Sequence, residues 1–338
     1  MNSMSPTVSL AAKAAVVIAM LAVSLVLWGP AMEYPTTVSR VESTGGGDVV
    51  LTLDKSVRQV TAAAIDGFVD WLTVKGNWLF DGLSDFVTHV LVFISRSLLW
   101  IPWPALVLLL ALFAYGVGRW PLLAFTLGAL LFIGFMGLWN QMIDTIALMA
   151  VAVAISILIG FPTGVVSARN TWVDNILRPV LDAMQTMPSF VYLLPGILFF
   201  GLGKPAGIFA TIIYSVPPVI RLTSLGIQQV SPAAIEATQA FGSSSLQTLT
   251  KVQIPMALPT IMAGVNQTTM MALAMVTIAS MVAAGGLGDT VLRALQKNEP
   301  GNGMIAGLAI VFLAILLDRM TQAVVTSEHR PRGNRMPI

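Results

Sequence analysis

Glu236-Ala237-Thr238, then Gly242, then Val252-Gln253-Ile254-Pro255 mark a short, helix-forming loop between two strongly apolar segments. Ser231 is a good N-cap and Pro232 suits the first helical position, so a helix is predicted to begin there. Gly242 can take the left-handed conformation that ends a helix. The pattern therefore predicts a short helix that ends in a glycine turn.

A second short helix is predicted after that turn. Leu246 and Leu249 fall on one face of it, and Pro255, which has no backbone N–H, is expected to end it before the next apolar segment. Two short helices joined at a glycine would suit contact with a cytoplasmic protein. An ordinary pair of interfacial helices is the simpler alternative, because short motifs generate false positives.

The composition indicates an integral membrane protein. Apolar residues make up 56% of the chain, charged residues 10%, and the mean hydropathy is +0.83, whereas soluble domains carry about 25% charged residues. The chain has no cysteine, and His89 and His329 are far apart, so no metal site is predicted. The net charge of +2 gives no reason to expect a nucleic-acid partner.

The chain lacks a phosphate-binding loop. Such a loop needs G-x-x-x-x-G-K-[ST], but Gly203-Lys204 is followed by Pro205, and Leu198 stands where the first glycine should be. No cofactor is therefore predicted on this chain, which is not expected to be an enzyme. Any ATP and Mg²⁺ would bind to a separate ATPase chain.

Hydropathy predicts an all-α protein with about eight transmembrane helices, each of roughly 20 residues. The predicted spans are 11–29, 100–118, 121–139, 142–166, 183–203, 205–221, 258–284 and 303–324. Pro188 and Pro195 interrupt the fifth span and predict a kink or a broken helix.

The distribution of basic residues predicts the orientation. If the loop at 231–256 is cytoplasmic, ten basic residues lie inside and three lie in short outer loops, in agreement with the positive-inside rule. The inner ones are Lys13, Arg119, Arg169, Arg178, Arg221, Lys251, Arg319, Arg330, Arg332 and Arg335; the outer ones are Lys204, Arg293 and Lys297. Both termini are then expected in the cytoplasm.

The segments outside the spans complete the predicted organisation. Residues 30–98 are expected to face outward, with two amphipathic stretches in 55–97 lying in the membrane interface. The predicted regions are an N-terminal tail and anchor helix (1–29), a periplasmic or interfacial scaffold (30–98), a transmembrane domain (99–325) containing the loop 231–256, and a cytoplasmic tail (326–338).

The loop resembles the EAA loop of ABC-importer permeases, whose pattern is E-A-A, three residues, G, nine residues, and I-x-L-P. Thr238, Val252 and Ile254 depart from that pattern by small or apolar replacements. In that family the loop docks into a cleft on the ATPase subunit. The resemblance assigns ATPase coupling to Glu236, Ala237, Thr238, Gly242, Val252, Ile254 and Pro255.

Residues from about 140 to 335 resemble the ProU-type permeases of glycine betaine/proline betaine ABC importers. The similarity is carried by Leu181–Leu193, Ile213–Thr223, Pro259–Thr268, Ile278–Gly288 and Leu317–Ala323. It implies a type I ABC-importer permease fold in the inner membrane, a homodimer, two ATPase subunits and an external substrate-binding protein. It also implies import of small methylated osmoprotectants: glycine betaine, proline betaine, choline, carnitine or trimethylamine N-oxide.

Two groups of residues are candidates for the translocation pathway. Asn266, Gln267, Thr268 and Thr269 form a polar run inside an apolar span, where polar groups need partners; hydrogen bonding between helices is the simpler role. Met184, Met187, Phe190 and Tyr192 are candidates for an apolar gate, although such side chains usually serve packing. Asp182 is expected to pair with Arg178.

Two other functions remain open from the sequence. A secondary transporter or channel would usually hold ionisable groups at the bilayer centre, and nearly every predicted span is uncharged there. A non-transporting membrane scaffold would explain the spans but not the helix pair at 231–256. An intramembrane enzyme is disfavoured because neither histidine lies within a predicted span.

Overall fold

A computed structural model describes residues 37–43 and 49–327 of the chain. The predicted first span at 11–29 and the residues from 328 onward lie outside this described part. The chain divides into two compact units after Val74.

The first unit contains an antiparallel hairpin that the sequence analysis did not predict. Strands β1 (Thr37–Ser43) and β2 (Val49–Ser56) pair with an irregularity between Val38 and Ser39. β2 includes a short alternation of apolar and polar residues, which is typical of a strand. The hairpin is a small addition to an otherwise helical architecture.

Helix α1 (Val57–Trp100) follows and continues into the second unit. It is one continuous helix of 44 residues, so the amphipathic stretches predicted in 55–97 belong largely to a single helix. The segment contains Gly67, Gly76 and Gly82 but no proline. Glycine weakens a helix without interrupting its hydrogen bonds, whereas proline would do so.

The second unit also contains the remaining helices of the described chain. They are α2 (Trp103–Phe135), α3 (Trp139–Arg169), α4 (Thr171–Thr186), α5 (Leu193–Phe200), α6 (Lys204–Gln228), α7 (Pro232–Ala240), α8 (Ser245–Thr248), α9 (Ile254–Ala279), α10 (Leu287–Gln296) and α11 (Pro300–Ser327). A 3₁₀ turn (Ser189–Tyr192) precedes α5, and a π-helical turn (Leu249–Gln253) precedes α9.

Helix α2 is interrupted at Arg119, whose backbone has φ 56° and ψ −150°. The break separates Trp103–Gly116 from Gly118–Phe135. It falls between the predicted spans 100–118 and 121–139, next to Pro121, which cannot donate a backbone hydrogen bond. The sequence thus located this interruption correctly.

The predicted span at 183–203 is not a straight helix. Thr171–Thr186 and Ser189–Phe200 meet at an angle of 111°. The bend lies at Met187, whose backbone is extended (φ −67°, ψ 136°), directly before Pro188. A residue before proline is driven out of the helical region by the proline ring. Proline therefore breaks this segment, one of the two outcomes that the sequence left open.

Helix α6 lies at the centre of the second unit, packed against α3 and α9. Glycines allow these close contacts: a Cβ on Gly160 would lie 2.3 Å from Val219 Cγ1, and one on Gly164 would lie 2.7 Å from the carbonyl oxygen of Ile220. Such approaches through small residues are typical of helix packing in membranes.

Six helices of the described chain are long and apolar enough to cross a membrane, or seven if the bent pair counts as one span. The apolar helix Trp103–Gly116 is too short to be counted among them. Helix α1 is long and apolar enough to be counted, although the sequence analysis placed this segment in the membrane interface. At 44 residues, α1 is about 66 Å long, more than twice the ~30 Å hydrocarbon core. The fold class, a helical integral membrane protein, is confirmed.

Candidate functional site

Residues 231–256, which follow α6 and include the first turn of α9, are the predicted coupling loop and are called the coupling segment below. Its first helix begins as predicted: the Ser231 side chain accepts a hydrogen bond from the backbone N–H of Ala234 at 3.3 Å, and Pro232 occupies the first turn. Glu236 and Ala237 are exposed on α7. The Thr238 hydroxyl lies 3.3 Å from that of Thr248 and so connects the two halves of the segment.

Gly242 ends α7 in the predicted left-handed conformation, with φ 77°. The N–H of Gly242 donates to the carbonyl of Gln239 at 2.9 Å, and the N–H of Ser243 donates to that of Thr238 at 3.1 Å. A Cβ at Gly242 would meet no atom within 4 Å. Glycine is therefore needed for the backbone conformation and not for space.

The second half of the coupling segment differs from the prediction. Ser244 and Gln247 form a capping box at the start of α8, with Gln247 N–H donating to Ser244 Oγ at 3.3 Å. Pro255 does not end a helix: the chain runs on through the π-helical turn into α9, and Pro255 lies in the first turn of α9. The wider π turn accommodates the proline ring and its missing N–H.

The two sides of the coupling segment have opposite character. On the inner side, Leu249 and the half-buried Ile254 pack against Ile227 and Ile261 in an apolar cluster. On the outer side, Phe241 is 91% exposed and Leu246 is 65% exposed. Leu246 and Leu249 therefore do not share an environment, and Val252 is half-buried. Phe241 was not among the residues predicted to contact a partner. Its position directly before the helix-ending glycine was a signal that its side chain would be exposed.

The gate candidates surround the 111° bend but have different surroundings. Tyr192 is buried, and its hydroxyl donates to the carbonyl of Met184, near the end of α4. Its ring packs edge-on against Tyr214, with the centroids 5.7 Å apart. Met187 and Phe190 are 40% and 60% exposed. Tyr192 therefore holds the bend, while Met187 and Phe190 present an apolar surface beside it.

The polar run on α9 does not form one patch. Asn266 donates to Asp318 Oδ1 at 3.2 Å and accepts from the Thr321 hydroxyl, which joins α9 to α11. The Thr269 hydroxyl donates to the carbonyl of Val265 in its own helix at 2.9 Å.

The other two residues of that run differ from each other. Gln267 is exposed, whereas the buried Thr268 hydroxyl has no partner within the part of the chain that the structure describes. Asn266 thus makes the helix-to-helix contact expected of a structural residue, and Gln267 is the member with an accessible side chain.

A network of charged side chains lies where α3, α4 and α6 meet. Its ion pairs differ from the pair predicted from the sequence. Asp182 pairs with Arg221 of α6, and Arg178 pairs with Asp174 at 2.5 Å, so the predicted Asp182–Arg178 pair is wrong. The i, i+4 spacing of Asp174 and Arg178 was a usable signal. Arg221 is 39 residues from Asp182, which sequence spacing could not reveal.

The network surrounds a cavity of about 360 Å³, whose polar lining includes Asp174, Arg178, Asp182, Arg221 and Gln228. Within the described ranges no group of three or more His, Cys, Asp or Glu side chains is placed to hold a metal ion. The arrangement offers one ion pair within α4, Asp174–Arg178, and one between α4 and α6, Asp182–Arg221.

Comparison with known proteins identifies this architecture. A family model described as "Binding-protein-dependent transport system inner membrane component" matches residues 156–326, which include the coupling segment and both groups of pathway candidates. The chain is 46% identical over 267 residues to the glycine betaine/proline betaine transport system permease protein ProW of Escherichia coli, covering 79% of this chain and 75% of ProW.

Two further proteins extend the comparison. The glycine betaine transport system permease protein OpuAB of Bacillus subtilis is 44% identical over 282 residues, covering 83% of this chain and all of OpuAB. An inward-facing structure of the MetNI methionine ABC transporter matches with a TM-score of 0.52 and 21% identity, covering 55% of this chain and 94% of the matched chain. That similarity concerns the fold alone.

Proposed function

The chain belongs to the family of binding-protein-dependent transport system inner membrane components, and we propose that it is the permease subunit of an ATP-driven importer for small methylated amines. The cargo class is glycine betaine, proline betaine, choline, carnitine or trimethylamine N-oxide. Family membership favours this function over a secondary transporter, a channel or a non-transporting scaffold.

The observation that carries this proposal is the construction of the coupling segment. Its two helices are fixed by the Ser231 cap, the Ser244 capping box and the left-handed Gly242, so its shape does not depend on a partner. On that rigid support Phe241 is 91% exposed. A large apolar side chain held out in this way gains free energy only when another surface covers it.

The proposed partner for that surface is a cytoplasmic ATPase subunit that binds ATP and Mg²⁺. Two copies of the permease would each present one coupling segment to one ATPase subunit, and closure of the ATPase pair would draw the segments together. Since α6 leads directly into the segment, this motion would be passed to the membrane helices and would alternate access between the two sides. In this arrangement both termini lie in the cytoplasm and an external binding protein delivers cargo.

The residues of this chain would supply a path and not a high-affinity site. Tight binding of a quaternary ammonium requires several aromatic faces around the cation, and such a cage is expected on the external binding protein. Met187 and Phe190 are exposed beside the bend and would form an apolar constriction. The accessible Gln267 would offer a hydrogen-bonding group to passing cargo.

The test is reconstitution of the permease in liposomes with its ATPase and binding protein. Uptake of labelled glycine betaine and release of phosphate are measured together. Burial of a Phe side chain contributes about 1.5–3 kcal/mol, so we expect Phe241→Ala to weaken ATPase binding roughly 10- to 100-fold and to reduce uptake in proportion.

Phe135→Ala is the matched control, because Phe135 is 82% exposed at the end of α2, outside the coupling segment. It should leave both rates unchanged. Normal ATPase affinity for Phe241→Ala, or uptake that persists without ATP and collapses with an ion gradient, would contradict the proposal.

A further inference from the structure

We infer that Asp174 is a positioning residue that links the coupling segment to α4, so that α4 acts as a lever between the ATPase contact and the bend at Met187. The inference rests on the proposed function, since it concerns how motion of the coupling segment reaches the pathway. It assigns a role to a residue outside both groups of candidates from the sequence.

Asp174 is a nearly buried carboxylate, with 8% of the residue exposed. Its oxygens accept hydrogen bonds from the Ser167 hydroxyl at 2.8 Å and from the Arg178 guanidinium at 2.5 Å. Burying a charge costs free energy that a single ion pair often fails to recover. Asparagine would fill almost the same space, so packing alone does not account for a carboxylate here.

The network continues from Asp174 into two other helices. The Ser224 hydroxyl of α6 lies 3.3 Å from the Ser167 hydroxyl of α3, and Gln228 Nε2 donates to Ser224 Oγ at 3.1 Å. Gln228 is the last residue of α6, three positions before the Ser231 cap. A displacement of the coupling segment therefore acts on this hydrogen-bond chain within one helical turn.

A second connection reaches the same place. The Arg169 guanidinium, at the end of α3, donates to the Ser245 hydroxyl of the coupling segment. Asn170 follows at once and caps α4, accepting from the N–H of Trp172 at 3.0 Å. The junction of α3 and α4 is thus held to the coupling segment on one side and to Asp174 on the other.

Space is present on both sides of Gln228. It lines the 360 Å³ cavity beside Asp174 and also a second cavity of about 330 Å³ shared with Gln239, Ser245 and Thr248 of the coupling segment. Polar groups between two cavities can rearrange without the steric cost that a close-packed core imposes. The hydrogen bonds around Gln228 can therefore rearrange more easily than the close glycine contacts of α6.

Helix α4 carries the displacement away from this joint. Its 16 residues span about 24 Å, and its far end is the 111° bend. There the Tyr192 hydroxyl bonds the carbonyl of Met184 and fixes the next segment to α4. A small rotation at Asp174 consequently moves Met187 and Phe190.

The test uses the reconstituted complex and the variant Asp174→Asn, which keeps the shape but replaces the charged acceptor of the Ser167 hydrogen bond by a weaker, neutral one. We expect stimulated ATP hydrolysis within about twofold of the wild type, and at least a fivefold loss of glycine betaine taken up per ATP. The double variant Asp174→Asn/Arg178→Gln should be no worse than Asp174→Asn, because Arg178 lies on α4 with Asp174 and their ion pair joins no second helix. Asp289→Asn is the matched control, since Asp289 and Arg293 form another i, i+4 pair, at 2.7 Å, on α10.

Motion is measured separately from transport. The chain has no cysteine, so a spin label on Lys251→Cys reports the coupling segment and one on Gln185→Cys reports the end of α4. ATP should change the distance between the two copies at both sites in the wild type. In Asp174→Asn the change at 251 should persist and the change at 185 should be lost.

Each outcome has a defined meaning. If the wild type shows no ATP-dependent change at 251, the proposed function fails. A second outcome is that Phe241→Ala uncouples the complex while Asp174→Asn keeps the ATP-dependent distance changes at 251 and 185 and normal uptake per ATP. In that case the role of Asp174 and α4 is rejected and the proposed function stands. Should Asp174→Asn not assemble, Ser224→Ala breaks the same chain by removing one hydroxyl, and normal uptake per ATP in that variant would overturn the inference.

Discussion

Replacement of Gly164 by alanine tests the central helix packing. The added Cβ would lie 2.7 Å from the carbonyl oxygen of Ile220 and 2.7 Å from Cβ of Thr223. Neither atom can rotate away, because one belongs to the backbone of α6 and the other is fixed to it. Helices α3 and α6 must therefore separate by several tenths of an ångström along their contact.

The magnitude follows from two opposing effects. Overpacking of this kind costs about 1–3 kcal/mol, while alanine in place of a mid-helix glycine gains about 0.5–1 kcal/mol. We therefore expect Gly164→Ala to lower the free energy of unfolding by about 0–2.5 kcal/mol relative to the wild type, the difference between those ranges.

Gly128→Ala is the control, because a Cβ at Gly128 in α2 would meet nothing within 4 Å. It experiences only the helix-propensity gain and should be neutral or slightly stabilised. Thermal unfolding of both variants in the same detergent, followed by the loss of soluble monodisperse protein, measures the difference. A midpoint for Gly164→Ala at or above that of Gly128→Ala would refute the packing of α3 on α6.

Three further outcomes are expected. Gly242→Ala should cost about 1–2 kcal/mol of local strain, without a steric clash, and should lower uptake per ATP; unchanged coupling in the reconstituted complex would contradict the role of the turn. Tyr192→Phe removes one hydrogen bond, about 0.5–1.5 kcal/mol, and should raise proteolysis at the bend near Met184; an unchanged digestion pattern would count against it. Reversal of Asp182 or Arg221 alone should lower the unfolding temperature, and the exchanged pair Asp182→Arg/Arg221→Asp should recover part of the loss, which a double-mutant cycle measures.

Local steric rules made the start of the coupling segment predictable from the sequence. Ser231 and Gly242 act through contacts within a few residues, so composition and spacing were sufficient. The effect of Pro255 was not predictable in the same way. Whether a proline ends a helix or is absorbed by a wider turn depends on the surrounding packing, and here Leu249 and Ile254 are held in an apolar cluster on both sides of the π turn.

Charged pairs were harder to predict than helix ends. Asp182 has a sequence neighbour of opposite charge at Arg178, and the local rule favoured that pair. In the folded chain Arg178 turns to Asp174 and Asp182 to Arg221, because α6 brings a guanidinium from 39 residues away. The bend at Met187 was predictable only in part. Pro188 indicated that the helix is interrupted, but the angle is set by the contact of Tyr192 with Met184.

The distribution of tight and loose contacts determines which helices can move independently. Gly160 and Gly164 bring α3 against α6, and a Cβ on Gly264 would lie 3.2 Å from the carbonyl oxygen of Pro218, so α9 also approaches α6 closely, although less closely than α3 does. Because these close contacts hold the three helices together, we expect a force on the coupling segment to move them as one body. Helix α4 meets α6 differently: Leu181 packs on Val219 and Ile220, Asp182 pairs with Arg221, and a cavity of about 360 Å³ lies beside these contacts. Relative motion is therefore concentrated at α4, which ends beside Met187 and Phe190.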